Sequence, residues 1–306
     1  MFHRAILILL LTLLLVSAAC QPAAAPAPQA SGPAIKVLVT ETFLADVAQN
    51  VAGDRLHVTP LLPAGMDPHS YEPTPRDVAL VAASQVLIVN GAGLEAYLAK
   101  LLENAGGKRQ VIEASAGLVS RTPREGEPAP DEHEGDPHFW LDPNHVIQYA
   151  QNIRDGLSQA DPAGATTYAH NADNYTAQLK ELDQWISQQV QQIPQNRRLL
   201  VTNHESFGYF ADRYGFKIIG TIILSVSTGV SPSAQQLAQL VDHIKAAGAP
   251  AIFLESGSNP QLARQIAQET GGKVVTTLYT HSTESSVRTY IEMMKYNTQA
   301  IVDALK

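Results

Sequence analysis

The chain has 306 residues, 45% of them hydrophobic and 16% charged, with a formal net charge of −8. That length suffices for two lobes of roughly 130 residues each, and the acidic balance argues against a basic nucleic-acid surface. Its single cysteine, Cys20, leaves nothing for a disulfide framework or a thiolate ligand, so any bound metal must be held by nitrogen and oxygen.

Residues 1–20 read as a secretory signal and not as part of the fold. Arg4 supplies a positive start, an apolar run follows over 5–16, and Ser17-Ala18-Ala19-Cys20 supplies small residues at a cleavage point. The end of this segment resembles a bacterial lipoprotein signal. That resemblance implies lipid on Cys20 and an extracytoplasmic chain anchored to the membrane, in the periplasm or on the cell surface. Residues 21–34, rich in Pro and Ala, read as a semi-extended tether.

From residue 35 short apolar runs alternate with helical stretches. Strands are expected at 35–39, 58–62, 85–91 and 110–114, and helices at 42–51, 77–83 and 94–104. Residues 117–137 carry six acidic residues, Asp136 among them, and read as a solvated connector. Helices follow at 144–159 and 165–193. The second of these presents Tyr168, Tyr175, Leu179, Leu182, Ile186, Val190 and Ile193 on one stripe and stops at Pro194. A second series then begins, with strands at 198–202, 216–222, 250–256 and 273–277. Its helices start at Phe207 and run over 233–246, 259–269 and 287–305, the helix at 233–246 capped by Ser231 or Ser233. This pattern predicts an α/β fold of two parallel-sheet lobes, 35–162 and 195–306, joined by a single long helix within 163–194.

Ten histidines are spread along the chain. His69 sits in GMDPHSYEP, where neighbouring prolines stiffen a non-helical loop. His138, His204 and His281 share its setting, His138 after the fourth predicted strand and its acidic loop and the other two just past predicted strands, so that two of the four fall in each lobe. Ligands gather outside the carboxyl ends of strands in open α/β sheets, so the four could grip one cation from both sides of an interlobe cleft. Each could equally cap a helix or make a loop hydrogen bond. Imidazole suits zinc, whereas oxygen donors suit manganese. A site closed by four protein groups leaves no coordination position for water chemistry, which argues for carriage over catalysis. An exported zinc hydrolase is the rival, but the sequence offers no HExxH and no general base beside a three-histidine cluster.

The stretches AGMDPHSYEPTPRD, DPHFWLDP, NHESFGYFADRYGF and TYIEMMKYN resemble the solute-binding lipoproteins of bacterial zinc and manganese ABC importers, over residues 35–306. The resemblance implies two α/β lobes joined by one rigid helix with the metal between them, and carries ligand roles onto His69, His138 and His204. Manganese-type members usually have glutamate at the place of His204, so the chain resembles the zinc type. It departs at the fourth position, where the family usually has aspartate and this sequence has His281; Glu284 or water would be the alternative. Glu255 would orient a ligand imidazole or pack the lobe. The resemblance further implies a monomeric receptor that binds Zn²⁺ (or Mn²⁺ or iron) for a membrane permease. No Walker-type loop is present, so a separate cytoplasmic ATPase would supply the energy. Zinc members often carry a histidine-rich loop at 117–137, where this chain has only His133.

Overall fold

The computed structural model describes residues 35–122, 124, 135–256, 258–284 and 286–306. The expected signal, the tether and the middle of the acidic stretch, with Cys20 and His133, lie outside the described residues. Among the described residues no helix is long and apolar enough to cross a membrane.

Residues Ile35–Lys306 contain two four-stranded parallel sheets of the same topology. In the first, β1 (Val37–Val39), β2 (Val58–Pro60), β3 (Val86–Val89) and β4 (Gln110–Glu113) lie in the order β2-β1-β3-β4. Their connecting helices are α1 (Thr42–Ala52), α2 (Pro75–Ala82) and α3 (Leu98–Ala105). Two long helices follow, α4 (Pro143–Ala160) and α5 (Ala165–Val190). The second sheet orders β5 (Leu199–Thr202), β6 (Lys217–Thr221), β7 (Ala251–Glu255) and β8 (Lys273–Leu278) as β6-β5-β7-β8. Its helices are α6 (Gly208–Tyr214), α7 (Ala234–Ala247), α8 (Gln261–Thr270) and α9 (Tyr290–Leu305). This is the expected two-lobe α/β architecture. The all-apolar β3, buried along its length, is what a parallel strand covered on both faces requires.

Element ends differ from the expectations where capping decides them. Helix α2 begins at Pro75, not at 77, because Thr74 caps it and forms a reciprocal box with Asp77, while proline suits a first helical position. Ser233 and Gln236 make the same box on α7, which settles the choice between Ser231 and Ser233. Thr289 and Glu292 make it on α9, so that helix starts at 290 and not at 287. Helix α5 ends at Val190, three residues short of the expected 193. Pro194 disfavours helical backbone at Ile193, and the chain tightens into i→i+3 turns from Gln189 to Gln192 and from Val190 to Ile193.

The predicted stripe of α5 is buried throughout, at the centre of a core that also draws on α1, α4 and α9. Direct bonds join the two sheets' elements as well. Trp140 Nε1 donates to the Thr280 carbonyl (2.6 Å), and the Tyr290 hydroxyl donates to the Trp140 carbonyl (2.6 Å). Thr283 N donates to Thr42 Oγ1 (2.8 Å), and Gly65 N donates to Ser282 Oγ (3.0 Å). The flanks of the acidic stretch depart from the solvated connector read from the sequence. Arg121 pairs with Asp212 on α6, the Tyr209 hydroxyl donates to the Asp136 carbonyl (2.7 Å), and Asp136 is only 4% exposed. Composition misreads this stretch because one of its carboxylates is engaged in the interior.

Candidate metal centre

All four strand-end histidines meet. His69 follows β2, His138 follows β4, His204 follows β5 and His281 follows β8. One ring nitrogen from each lies within 4.8 Å of the others. His69 Nε2 is 3.2 Å from both His138 Nε2 and His281 Nε2. His138 Nε2 is 3.2 Å from His204 Nε2 and 3.3 Å from His281 Nε2. His138 and His204 are fully buried, His281 is buried and His69 is partly exposed.

The opposite ring edges explain which nitrogen faces the centre. His138 Nδ1 lies 2.9 Å from Asp136 Oδ1, and the same oxygen accepts from the His138 backbone N (3.0 Å). His204 Nδ1 contacts Glu255 Oε1. His281 Nδ1 sits 3.0 Å from Thr280 Oγ1 and 3.5 Å from Glu255 Oε2. A carboxylate accepts only, so Nδ1 of His138 and His204 must carry hydrogen, and in the neutral ring Nε2 then holds a lone pair. Several lone pairs aimed at one point repel one another unless something positive sits there. Tetrahedral zinc with Zn–N of about 2.0–2.1 Å has ligand nitrogens about 3.3–3.4 Å apart, close to the spacings found.

Charge follows the same geometry. Burial drives His69 down to about 3, with the His204 charge adding to it. His138 and His281 are lowered too, first by burial and then by their neighbouring imidazoles. His204 is the exception: burial alone would lower it, but the Glu255 carboxylate outweighs this and raises it. His204 therefore takes up a proton more readily than its three neighbours, at the place a cation would take.

Local sequence builds each arm. Asp67 Oδ1 accepts from His69 N (3.0 Å) and Oδ2 accepts from the Ser70 hydroxyl (2.9 Å), fixing the loop that Pro68 stiffens. Asp136-Pro137-His138 repeats this device and extends it to the imidazole. The recurrence of Asp-Pro-His at 67–69 and 136–138 was the signal for Asp136, which the compositional reading of the loop passed over. On the other side the register of β7 on β8 slips between Phe253↔Val275 and Glu255↔Leu278, so β8 holds one residue more. Such irregularities re-aim side chains, and here Glu255 reaches both His204 and His281. Glu284, the alternative fourth group, instead accepts from the Ser256 hydroxyl (2.8 Å) and stands outside the cluster. His57, His170 and His243 are exposed, and His145 Nδ1 turns to the Phe139 carbonyl (3.2 Å). A polar cavity of ≈ 180 Å³, lined by Met66 and Asp67 from one lobe and Asn203, Glu255 and His281 from the other, opens beside the cluster.

Residues 37–304 match the family model described as "ZnuA: Zinc-uptake complex component A periplasmic". The chain is 36% identical over 278 residues to a manganese-binding lipoprotein, MntA, of Halalkalibacterium halodurans, covering 90% of this chain and 89% of that one. It is 32% identical over 277 residues to the iron-binding protein YfeA of Yersinia pestis, covering 90% and 87%. The solved structure of the periplasmic zinc-binding protein TroA from Treponema pallidum superposes with a TM-score of 0.79 at 27% identity, over 89% of this chain and 99% of that one. The chain thus belongs to the zinc-uptake complex component A family: it is a metal-binding substrate-binding protein of an ABC transporter, a receptor and not an enzyme.

Proposed function

We propose that this protein captures Zn²⁺ outside the cytoplasm through His69, His138, His204 and His281, and delivers it to its ABC permease and ATPase. The observation that carries this reading is the convergence of four imidazoles whose ring nitrogens lie within 4.8 Å of one another, four of the six Nε2 pairs at 3.2–3.3 Å, with Asp136 behind His138 and Glu255 behind His204. Zinc is at home in a closed tetrahedral set of nitrogens; manganese favours oxygen donors and a larger octahedral shell. Four ring nitrogens fill a tetrahedral set, so the cluster is suited to holding an ion and not to activating water on it. The receptor would act as a monomer, tethered through residues 21–34 and lipid on Cys20.

The relatives named for manganese and iron make a different cargo the second reading. Competition decides between them: metal-free protein is equilibrated with equal Zn²⁺ and Mn²⁺, and bound metal is measured after separation. Zinc is expected to displace manganese almost completely. Retention of manganese at parity would overturn the zinc assignment while leaving the receptor role standing.

A further inference from the structure

Behind the first lobe's two histidine loops lies a second buried ionisable group, formed by Glu41 and Glu95, which are 1% and 6% exposed. The Thr40 hydroxyl is 2.6 Å from Glu41 Oε2 and 2.8 Å from Glu95 Oε1. One hydroxyl has one hydrogen, so it can donate to only one of these oxygens. Were both carboxylates charged, the other contact would set lone pair against lone pair in a buried site beside a second negative charge.

The surroundings say which carboxyl is charged. Glu95 Oε1 accepts from the Asn90 backbone N (2.7 Å), and Oε2 accepts from Gly91 N (3.1 Å). These amides open a turn in which Gly91, Ala92 and Gly93 all have positive φ, a concave backbone that suits an anion. Glu41 has only its own backbone amide for such support. It stands at the N-cap of α1, yet its side chain makes no capping bond, and its Oε1 has no hydrogen-bond partner among the described residues.

The geometry points to a single proton shared by Glu41 and Glu95 through Thr40, with Glu41 the neutral acid and Glu95 the anion that positions the His138 loop. Glu41 Oε2–H donates to Thr40 Oγ1, and Thr40 Oγ1–H donates to Glu95 Oε1. Glu95 fixes Asn90, whose Nδ2 donates to the Pro137 carbonyl (3.2 Å), one residue before His138, and whose Oδ1 accepts from the Tyr149 hydroxyl. Burial pushes Glu41 well above the usual carboxylate range, and the charge of Glu95 adds to this. Burial raises Glu95 as well, but the Thr40, Asn90 and Gly91 donors oppose it. The other ionisable groups facing the pair are tyrosines. Tyr97 and Tyr149 feel both carboxylates, and Tyr71 and Asp77 lie beyond Tyr97.

A neutral Glu41 costs stability as pH rises, because the unfolded chain ionises freely where the folded one does not. In metal-free protein Glu41→Gln should therefore melt higher than wild type, with a gap that widens from about pH 5 to about pH 8 and reaches a few degrees. Glu95→Gln, which leaves two amides without their anion, should melt lower across that range. A Glu41→Gln gap that does not change with pH, or a loss as large as that of Glu95→Gln, would overturn the shared proton. The positioning role rests on the proposed zinc site and is read separately: Glu95→Gln should weaken Zn²⁺ binding about tenfold, and wild-type affinity in that variant would overturn it. Failure of the wild-type protein to take up zinc would sink the cargo assignment, and the pH-dependent melting would still decide the proton.

Discussion

Two carboxylates give His138 and His204 their direction. Asp136 and Glu255 each accept from an Nδ1 and so present Nε2 to a common point. Glu255 has a further consequence, because it raises His204 while burial holds the other three imidazoles neutral far into acid. A cation competes with a proton for His204, so affinity should fall as pH drops and that group becomes charged. Asp136, pushed up to about 7 chiefly by burial, takes a further proton below that pH. Zinc uptake measured calorimetrically in buffers of different ionisation heat should release more protons as pH falls, from His204 and from Asp136. Release of four would show that the imidazoles begin charged. Glu255→Gln should weaken zinc roughly 10–100-fold at alkaline pH and flatten the pH profile, since His204 then loses what raises it. An unchanged profile would detach Glu255 from the site. The histidines were legible in the sequence because each lies in a loop that follows a strand; Asp136 was not, because five acidic neighbours made its loop read as solvated.

At the level of elements, packing and capping do different work. The stripe from Tyr168 to Val190 is legible as a 3.6-residue period, and it is buried as that period requires. Helix ends were less legible, since a cap is one side chain and leaves no periodic trace. Thr289 shows the size of such an effect. Its hydroxyl accepts from Glu292 N (3.1 Å), and Glu292 reaches back to Thr289 N (3.3 Å). Thr289→Ala should cost about 1 kcal/mol in chemical denaturation. Zinc affinity should not change, because α9 begins nine residues past His281 and contributes no group to the cluster. A coupled loss of affinity would show that the start of α9 sets the height of the His281 loop.

Across the whole molecule the two lobes are not free to swing. Trp140, Thr280 and Tyr290 are bonded in series between them, Thr42 is bonded to Thr283, and the core runs through α5 without a break. Period and spacing revealed two lobes and one long helix, but not this stitching, because Trp140 and Thr280 lie 140 positions apart and neither carries a local sign of its partner. Loading with zinc should therefore leave the radius of gyration in solution near the value of about 18–19 Å expected for a compact body of this length. A clear contraction would mean that a hinge closes around the ion. The central claim concerns what surrounds that ion. X-ray absorption at the zinc edge of the loaded protein should show four imidazole nitrogens at about 2.0–2.1 Å. A shell with two or fewer imidazoles, or a six-coordinate shell of oxygens, would contradict it.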